Sequence, residues 1–551
     1  MSIRRLSFLL LAIFSSSTVT ADLGADAQIP LQFSGTINVA NATNCQRACL
    51  LMQNALAQET DFTVLPVAFP ASYFSAQQQQ LVPSCVVQPE SAQQVSQALA
   101  VIKETECVFT VKSGGHSVAT GASSIDGGIV IDLARLNRIQ LSEDESSVFL
   151  GAGSKWRDVY LRLEERGLST VGGRVGSVGV GGFTMGGGIS FFSRRYGWAA
   201  DNVRNFEVVL ANGSIVNVNQ KSDPELLFGL RGGGNNFGIV TGFDFPTHKQ
   251  GEFFAGTNVF VLEDLEERRA ALGITNEIQW TFDSLAKNAA RWIQRVGCLA
   301  GFCVPSKDLI DAFVQLASDE QRDESAHAYI FFSWIPNIRA YLSGATIAYS
   351  KPVVNPPVFQ KFTSFKKLST TNRLANMSNF AYEIEEQNQP GARQAWEVAT
   401  FKVDATLISK LFDIFISETA PLTKIPEVLL SFNLQLITKH ETSLFSRNGG
   451  NSFGIEQDDG PLFLFGVTLF YKEANHDELF KSVLQKTVQK AIDVGKEMGL
   501  YHPFIYSNYA SFDRGIAASR GPKNHQRLLQ IQKKYDPDGV FQRLLPGFFK
   551  L

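Results

Sequence analysis

The sequence predicts an α+β protein built in two parts, and three observations carry that prediction. The first is a pair of glycine loops, Ser113-Gly114-Gly115-His116-Ser117 and the stretch from Gly172 to Gly188, which alone holds nine glycines. The second is a βαβ opening: residues 91–103 place Val95, Leu99 and Ile102 at helical spacing, and the strand-like run 107–111 follows at once. The third is a change of texture near Gly251. Beyond it, aromatic and β-branched runs at 328–334, 428–436 and 462–471 alternate with helical stretches, the pattern of a separate sheet covered by helices. At 551 residues the chain is too long for a single core, so two or more domains in contact are expected.

In chain order, Arg4 and Arg5, the apolar run 6–14 and the small residues of Val19-Thr20-Ala21 read as a secretory signal over residues 1–21, cleaved after Ala21. The run is far shorter than the roughly 20 residues a membrane span needs, and no later segment qualifies, so a secreted or lumenal protein without a membrane partner is expected. Residues 22–80 form an N-terminal segment with a helix at 44–57 and a polar glutamine run, 77–80, that reads as a loop. Residues 128–133 and 147–153 read as strands, 155–166 as an amphipathic helix, and 206–216 as a hairpin turning at Asn212-Gly213. Sequons stand at Asn41, Asn212 and Asn376.

Six cysteines in a chain bound for an oxidising compartment predict disulfides. Cys298 with Cys303 suits a short loop bridge. The pairing of Cys45, Cys49, Cys85 and Cys107 stays open, and Cys45-x-x-x-Cys49 could instead hold a metal, although no His or further Cys lies near it in sequence. No metal is expected. The near balance of 50 Lys+Arg against 53 Asp+Glu gives no field for nucleic acid, which leaves a small molecule as the partner.

The nine glycines of 172–188 would weaken a helix or strand by about 0.5–1 kcal/mol each, and Val175, Val178, Val180, Phe183 and Met185 between them argue for burial. A ligand must offset that cost. Glycine loops bring backbone N–H groups close to an anion such as a pyrophosphate, and a histidine inside one of them can bond another part of the same ligand. A tethered dinucleotide fits both features. No strand-to-helix unit with an acidic residue about 20 positions on frames these loops as a Rossmann fingerprint.

These motifs, together with residues 196–203, 231–240, Tyr506-Ser507-Asn508-Tyr509 and 527–541, resemble the berberine-bridge-enzyme-like branch of the vanillyl-alcohol oxidase and p-cresol methylhydroxylase superfamily of flavin oxidases. The resemblance implies an FAD-binding domain at 81–250, a substrate domain at 251–500 with an antiparallel sheet covered by helices, and a C-terminal segment, 501–551, that returns to the first. It implies FAD linked through His116, with Ser113, Gly114, Gly115, Ser117, Val175, Val178, Gly179, Gly182, Gly186, Asn202, Ile239, Val240 and Asn508 around it. Many relatives add a cysteine bond to the flavin where this chain has Val175, so a single covalent link is expected. That change lowers the flavin's redox potential and leaves ring placement to the pocket walls, which favours a compact substrate. By the same resemblance, Val178 falls where family members have a residue beside the flavin C4a carbon, and valine there goes with dioxygen access.

For catalysis the resemblance points to Tyr506, Tyr509 and Gln435. Berberine-bridge enzyme has a glutamate where Gln435 falls; glutamine cannot act as a base, which shifts that role to a tyrosine. Two departures lie near the same place: Ala510 where an acidic residue is usual, and Arg520-Gly521 where tyrosine-glycine is usual. The expectation is an FAD-linked oxidase that takes a hydride from an alcohol, phenol or amine-bearing metabolite and passes the electrons to O2, giving H2O2, in secondary metabolism. The alternatives are a secreted oligosaccharide oxidase and an inactive flavin-holding protein.

Overall fold

The computed structural model describes residues 43–56, 63–65, 72–274, 298, 302–317, 323–388 and 390–551. The expected signal segment, its cleavage point and the sequon at Asn41 lie outside them.

Strands Cys85–Gln88, Ile129–Asp132 and Phe109–Lys112 pair in parallel, with Thr63–Leu65 antiparallel at one edge. Helix Ala92–Thr105 makes the crossover that parallel pairing requires. It starts where Ser91 caps it, the hydroxyl accepting from the Gln94 N–H, and it buries Val95, Ala98, Leu99 and Ile102 at helical spacing. A second, antiparallel sheet runs in the order Ile139–Leu141, Ser147–Gly151, Ile239–Pro246, Asn205–Val209, Ile215–Asn219. Its last two strands are the expected hairpin, turning at Gly213 with φ of 84°. Both sheets share one core with Trp156, Val159, Tyr160 and Leu163 of helix Trp156–Glu164. The end of the chain closes that core: the Phe109 N–H donates to the Leu544 carbonyl at 2.7 Å, and Phe541 packs on the Phe109 ring.

Helix Asn44–Leu56 is tied to this region by Cys45–Cys107 and Cys49–Cys85, so both cysteines of the Cys-x-x-x-Cys pattern are disulfide-bonded rather than open to a metal. Cys298 pairs with Cys303 as expected. The glutamine run is not a loop: Ala76–Gln79 form a helical turn. The buried Gln78 amide donates to the Ala119 carbonyl and accepts from the Ser124 N–H, and the Gln77 amide donates to the Gln394 carbonyl and accepts from the Gln394 N–H. Long amides able to satisfy neighbouring backbone groups override the polarity that suggested a solvated segment.

The third sheet, of ten strands among the described residues, is antiparallel at its centre. Its main order is Phe253–Leu262, Ala340–Tyr349, Ala326–Ile335, Leu429–Ile437, Leu462–Tyr471, Arg393–Lys402. Side chains alternate across it. Ile330, Phe332 and Trp334, and Leu430, Phe432 and Leu434, face a core shared with helices Ser306–Ala317, Ala405–Thr419 and Asp477–Glu497. Their neighbours Tyr329, Phe331, Ser333, Ser431, Asn433 and Gln435 face the opposite way, into a cavity. No helix among the described residues is long and apolar enough to cross a membrane.

Candidate active site

A cavity of about 770 Å³ lies between the glycine loops and the inner face of the ten-stranded sheet. Its floor is made where the two loops meet back to back. A Cβ on Gly114 would lie 2.4 Å from the Gly179 nitrogen, and one on Gly179 would lie 2.3 Å from the Gly114 nitrogen, so only glycine permits the contact. Ser113 locks it, donating to the Ala152 carbonyl at 2.6 Å and accepting from the Gly181 N–H at 3.3 Å. Gly182 opens onto the cavity, with nothing within 4 Å of a Cβ built there. Backbone laid bare along a cavity of this size fits a long, flat, anionic cofactor.

His116 lines the same floor. Its ring stacks on Phe74 with centroids 4.0 Å apart, and Nε2 lies 3.1 Å from the Ser177 hydroxyl. Burial, aided by the Lys155 ammonium, pushes its pKa down to about 3. The imidazole is therefore neutral at physiological pH, with a lone pair to offer.

Across the cavity, Arg174 reaches from the second glycine loop to the sheet. It donates from Nη1 to Gln435 Oε1 at 2.5 Å and from Nη2 to the Tyr509 hydroxyl at 2.7 Å, and Nη1 lies 3.4 Å from His327 Nε2. Its guanidinium sits 4.9 Å over the Tyr329 ring. Burial opposes its charge, but the surrounding oxygens of Tyr509, Tyr329 and Tyr506 leave its pKa above the usual arginine value. His327 is held well below the usual histidine range by burial and by Arg174 and Arg194, so it too is neutral. Tyr506 is buried, and its oxygen accepts from the N–H groups of Gly188 at 3.2 Å and Ile189 at 3.1 Å and from Asn508 Nδ2 at 3.2 Å. Burial nonetheless drives its pKa well up. Asn508 also donates to the Phe183 carbonyl at 3.0 Å, and a Cβ on Gly186 would strike its side chain.

The structure thus brings together His116, Ser113, Gly114, Gly115, Ser117, Val175, Val178, Gly179, Gly182, Gly186, Ile239, Val240, Gln435, Tyr506, Asn508 and Tyr509 around one cavity. Asn202 is not in this wall: its amide donates to the carbonyls of Tyr196 and Trp198 and closes the turn there. Sequence reasoning passed over Arg174, His327, Tyr329, Trp396 and Phe74. Arg174 had a signal, being the one charged residue between Arg166 and Arg194 in a stretch read as buried. The others come from strands and a segment distant in sequence, and no local pattern marks them.

The profile described as an FAD binding domain matches residues 83–219. Among curated proteins, the chain is 33% identical over 562 residues to the FAD-dependent monooxygenase tpcD of Cochliobolus heterostrophus, covering 98% of this chain and 97% of that one. It is 31% identical to the FAD-dependent monooxygenase FUP4 of Fusarium proliferatum, covering 93% and 96%. Among solved structures, the xylooligosaccharide oxidase of Myceliophthora thermophila superposes with a TM-score of 0.67 at 19% identity, covering 89% of this chain and 97% of that one. The 6-hydroxy-D-nicotine oxidase of Arthrobacter nicotinovorans gives a TM-score of 0.67 at 18% identity, covering 87% and 96%; at such identities the likeness is one of fold. With these relatives matched along nearly their whole length, the chain belongs to their family of FAD-dependent oxidoreductases, and its cofactor is FAD.

Proposed function

We propose that the protein is a secreted oxidase that takes a hydride from a small hydroxylated or amine-bearing metabolite and returns the electrons to O2 as H2O2. The observation that carries this reading is the single cavity running from His116 to the cluster of Tyr509, Arg174 and Gln435. When bound, FAD supplies the hydride acceptor. The glycine loops would hold it, and His116, neutral on the cavity floor, would carry it through one covalent bond; a valine at position 175 offers no second link. Tyr509, whose hydroxyl oxygen accepts from Arg174, would act as the base that receives the proton given up by the substrate hydroxyl as the hydride leaves. Gln435 orients Arg174, and Tyr506 fixes the glycine loop. The three disulfides suit an oxidising compartment.

Acid precipitation of purified protein tests the covalent bond. A yellow pellet is expected from the wild type and a white one from His116→Ala; flavin retained in the variant's pellet overturns the assignment. The curated relatives are named monooxygenases, which implies that an atom of O2 enters the product. Stoichiometric peroxide with no ¹⁸O from labelled O2 in the product is the outcome expected here. Hydroxyl and amide groups of Ser333, Ser431, Asn433 and Thr468 line the cavity as well and favour a second reading, a carbohydrate oxidase. A panel pairing oligosaccharides with aromatic alcohols separates the two by which member releases peroxide.

A further inference from the structure

We propose that Lys550, standing beside Asn235, is the counter-cation of the FAD pyrophosphate, and that residues 547–549 are the clasp that holds it there. Of the side chains lining the cavity only Arg174 is a cation, and it is engaged with Gln435 and Tyr509 on the sheet side. The glycine-loop side therefore offers the cofactor's phosphate charges backbone N–H groups and no cationic side chain at its surface. Cations behind that wall are committed elsewhere. Lys112 pairs with Asp132 at 3.2 Å, and Lys155 bears on the His116 imidazole. Lys550 differs: among the described residues its ammonium has one hydrogen-bond partner, the Asn235 amide oxygen at 3.3 Å, and Asn235 itself lines the cavity.

The anion that supports the Lys550 charge is the Asp536 carboxylate, and both of its oxygens are taken by the N–H groups of Val540 and Phe541, at 2.7 and 2.8 Å. Burial outweighs it and lowers the ammonium pKa to about 7. A partly buried ammonium with two of its three N–H groups unspent is unfavourable until an anion joins it. The chain is also bent to bring it there. Gly547 packs so closely that a Cβ on it would lie 2.1 Å from the Gly121 carbonyl oxygen. Phe548 takes a φ of 68°, a left-handed conformation unfavourable for a residue with a side chain, and such strain collects at ligand clamps. The bend sets Phe548 and Phe549 in the cavity wall, with the Phe549 ring 3.0 Å from where a Cβ on Gly234 would stand, and leaves Lys550 against Asn235.

The test reads the phosphates directly. Phosphorus-31 NMR of the holoenzyme is expected to show at least one pyrophosphate resonance displaced in Lys550→Gln relative to wild type, and returned toward the wild-type position in Lys550→Arg. Glutamine keeps a donor for Asn235, so the substitution removes the charge and spares the contact. On the His116→Ala background, where the flavin is free to leave, dilution followed by flavin fluorescence gives the rate of FAD release. That rate is expected to rise at least about tenfold with Lys550→Gln and to stay near the parent value with Lys550→Arg. Pyrophosphate resonances unchanged in Lys550→Gln overturn the proposal, as does an unchanged release rate. Release accelerated equally by Lys550→Arg and Lys550→Gln overturns it too, because that is the mark of packing and not of charge. The NMR arm uses neither the His116 bond nor any turnover, so it stands apart from the fate of the oxidase reading.

Discussion

Tyr506 and Tyr509 stand three residues apart in sequence and differ in what holds them. The Tyr506 oxygen is occupied by two backbone N–H groups of the glycine loop, whereas that of Tyr509 meets the guanidinium at the cavity wall. Tyr509→Phe is expected to slow anaerobic flavin reduction about 100-fold with the melting temperature little changed, as stopped-flow absorption will report. Tyr506→Phe leaves two buried N–H groups without an acceptor and is expected to cost about 1–3 kcal/mol in denaturant unfolding. Glu441 offers a test by pH. It is buried, accepts from the Trp198 indole, and burial raises its pKa to about 7. A folded-state value above the unfolded 4.5 means the native state holds this proton longer, so the site's contribution to stability is whole below pH 4.5 and falls away as pH rises toward 7. Glu441→Gln keeps an acceptor for the indole and removes the titration. Its stability relative to wild type is expected to improve from pH 4.5 to 7, by up to about 3 kcal/mol, and then level off.

The glycine loops are the clearest case of sequence carrying structure at the level of an element. Nine glycines among apolar residues announced close backbone contact, and the meeting of Gly114 with Gly179 is that contact. Gly114→Ala is expected to push the loops apart and to yield folded protein with most of its flavin missing, measured as the ratio of flavin to protein absorbance. The capped helix Ala92–Thr105 and the Asn212-Gly213 hairpin were equally legible, because each is specified by a few adjacent residues. The glutamine run was misread for the opposite reason: what satisfies Gln77 and Gln78 lies at residues 119, 124 and 394. The tyrosine and glutamine side of the site was visible through motif resemblance, but the Arg174 bridge joining it to the loops spans 261 and 335 residues, a separation no local periodicity encodes.

At the scale of the whole molecule, the α+β class and the separate, helix-covered sheet followed from long aromatic and β-branched runs alternating with helical stretches, while strand order did not, since it is set by which faces find one another. The N-terminal helix is attached to this assembly by its two disulfides and by Ala48 and Met52, which are buried in the shared core. Replacing Cys49 and Cys85 by serine opens a link of 36 residues and is expected to cost about 4 kcal/mol, read as a lower midpoint in guanidinium. The alternation in strands Ala326–Ile335 and Leu429–Ile437 has an evolutionary side. Because structural and chemical duties fall on alternate residues, ligand preference can drift while foldedness is preserved. Libraries randomised at 331, 333, 431 and 433 will give mostly expressed, soluble variants with altered selectivity, and libraries at 330, 332, 432 and 434 will give few survivors.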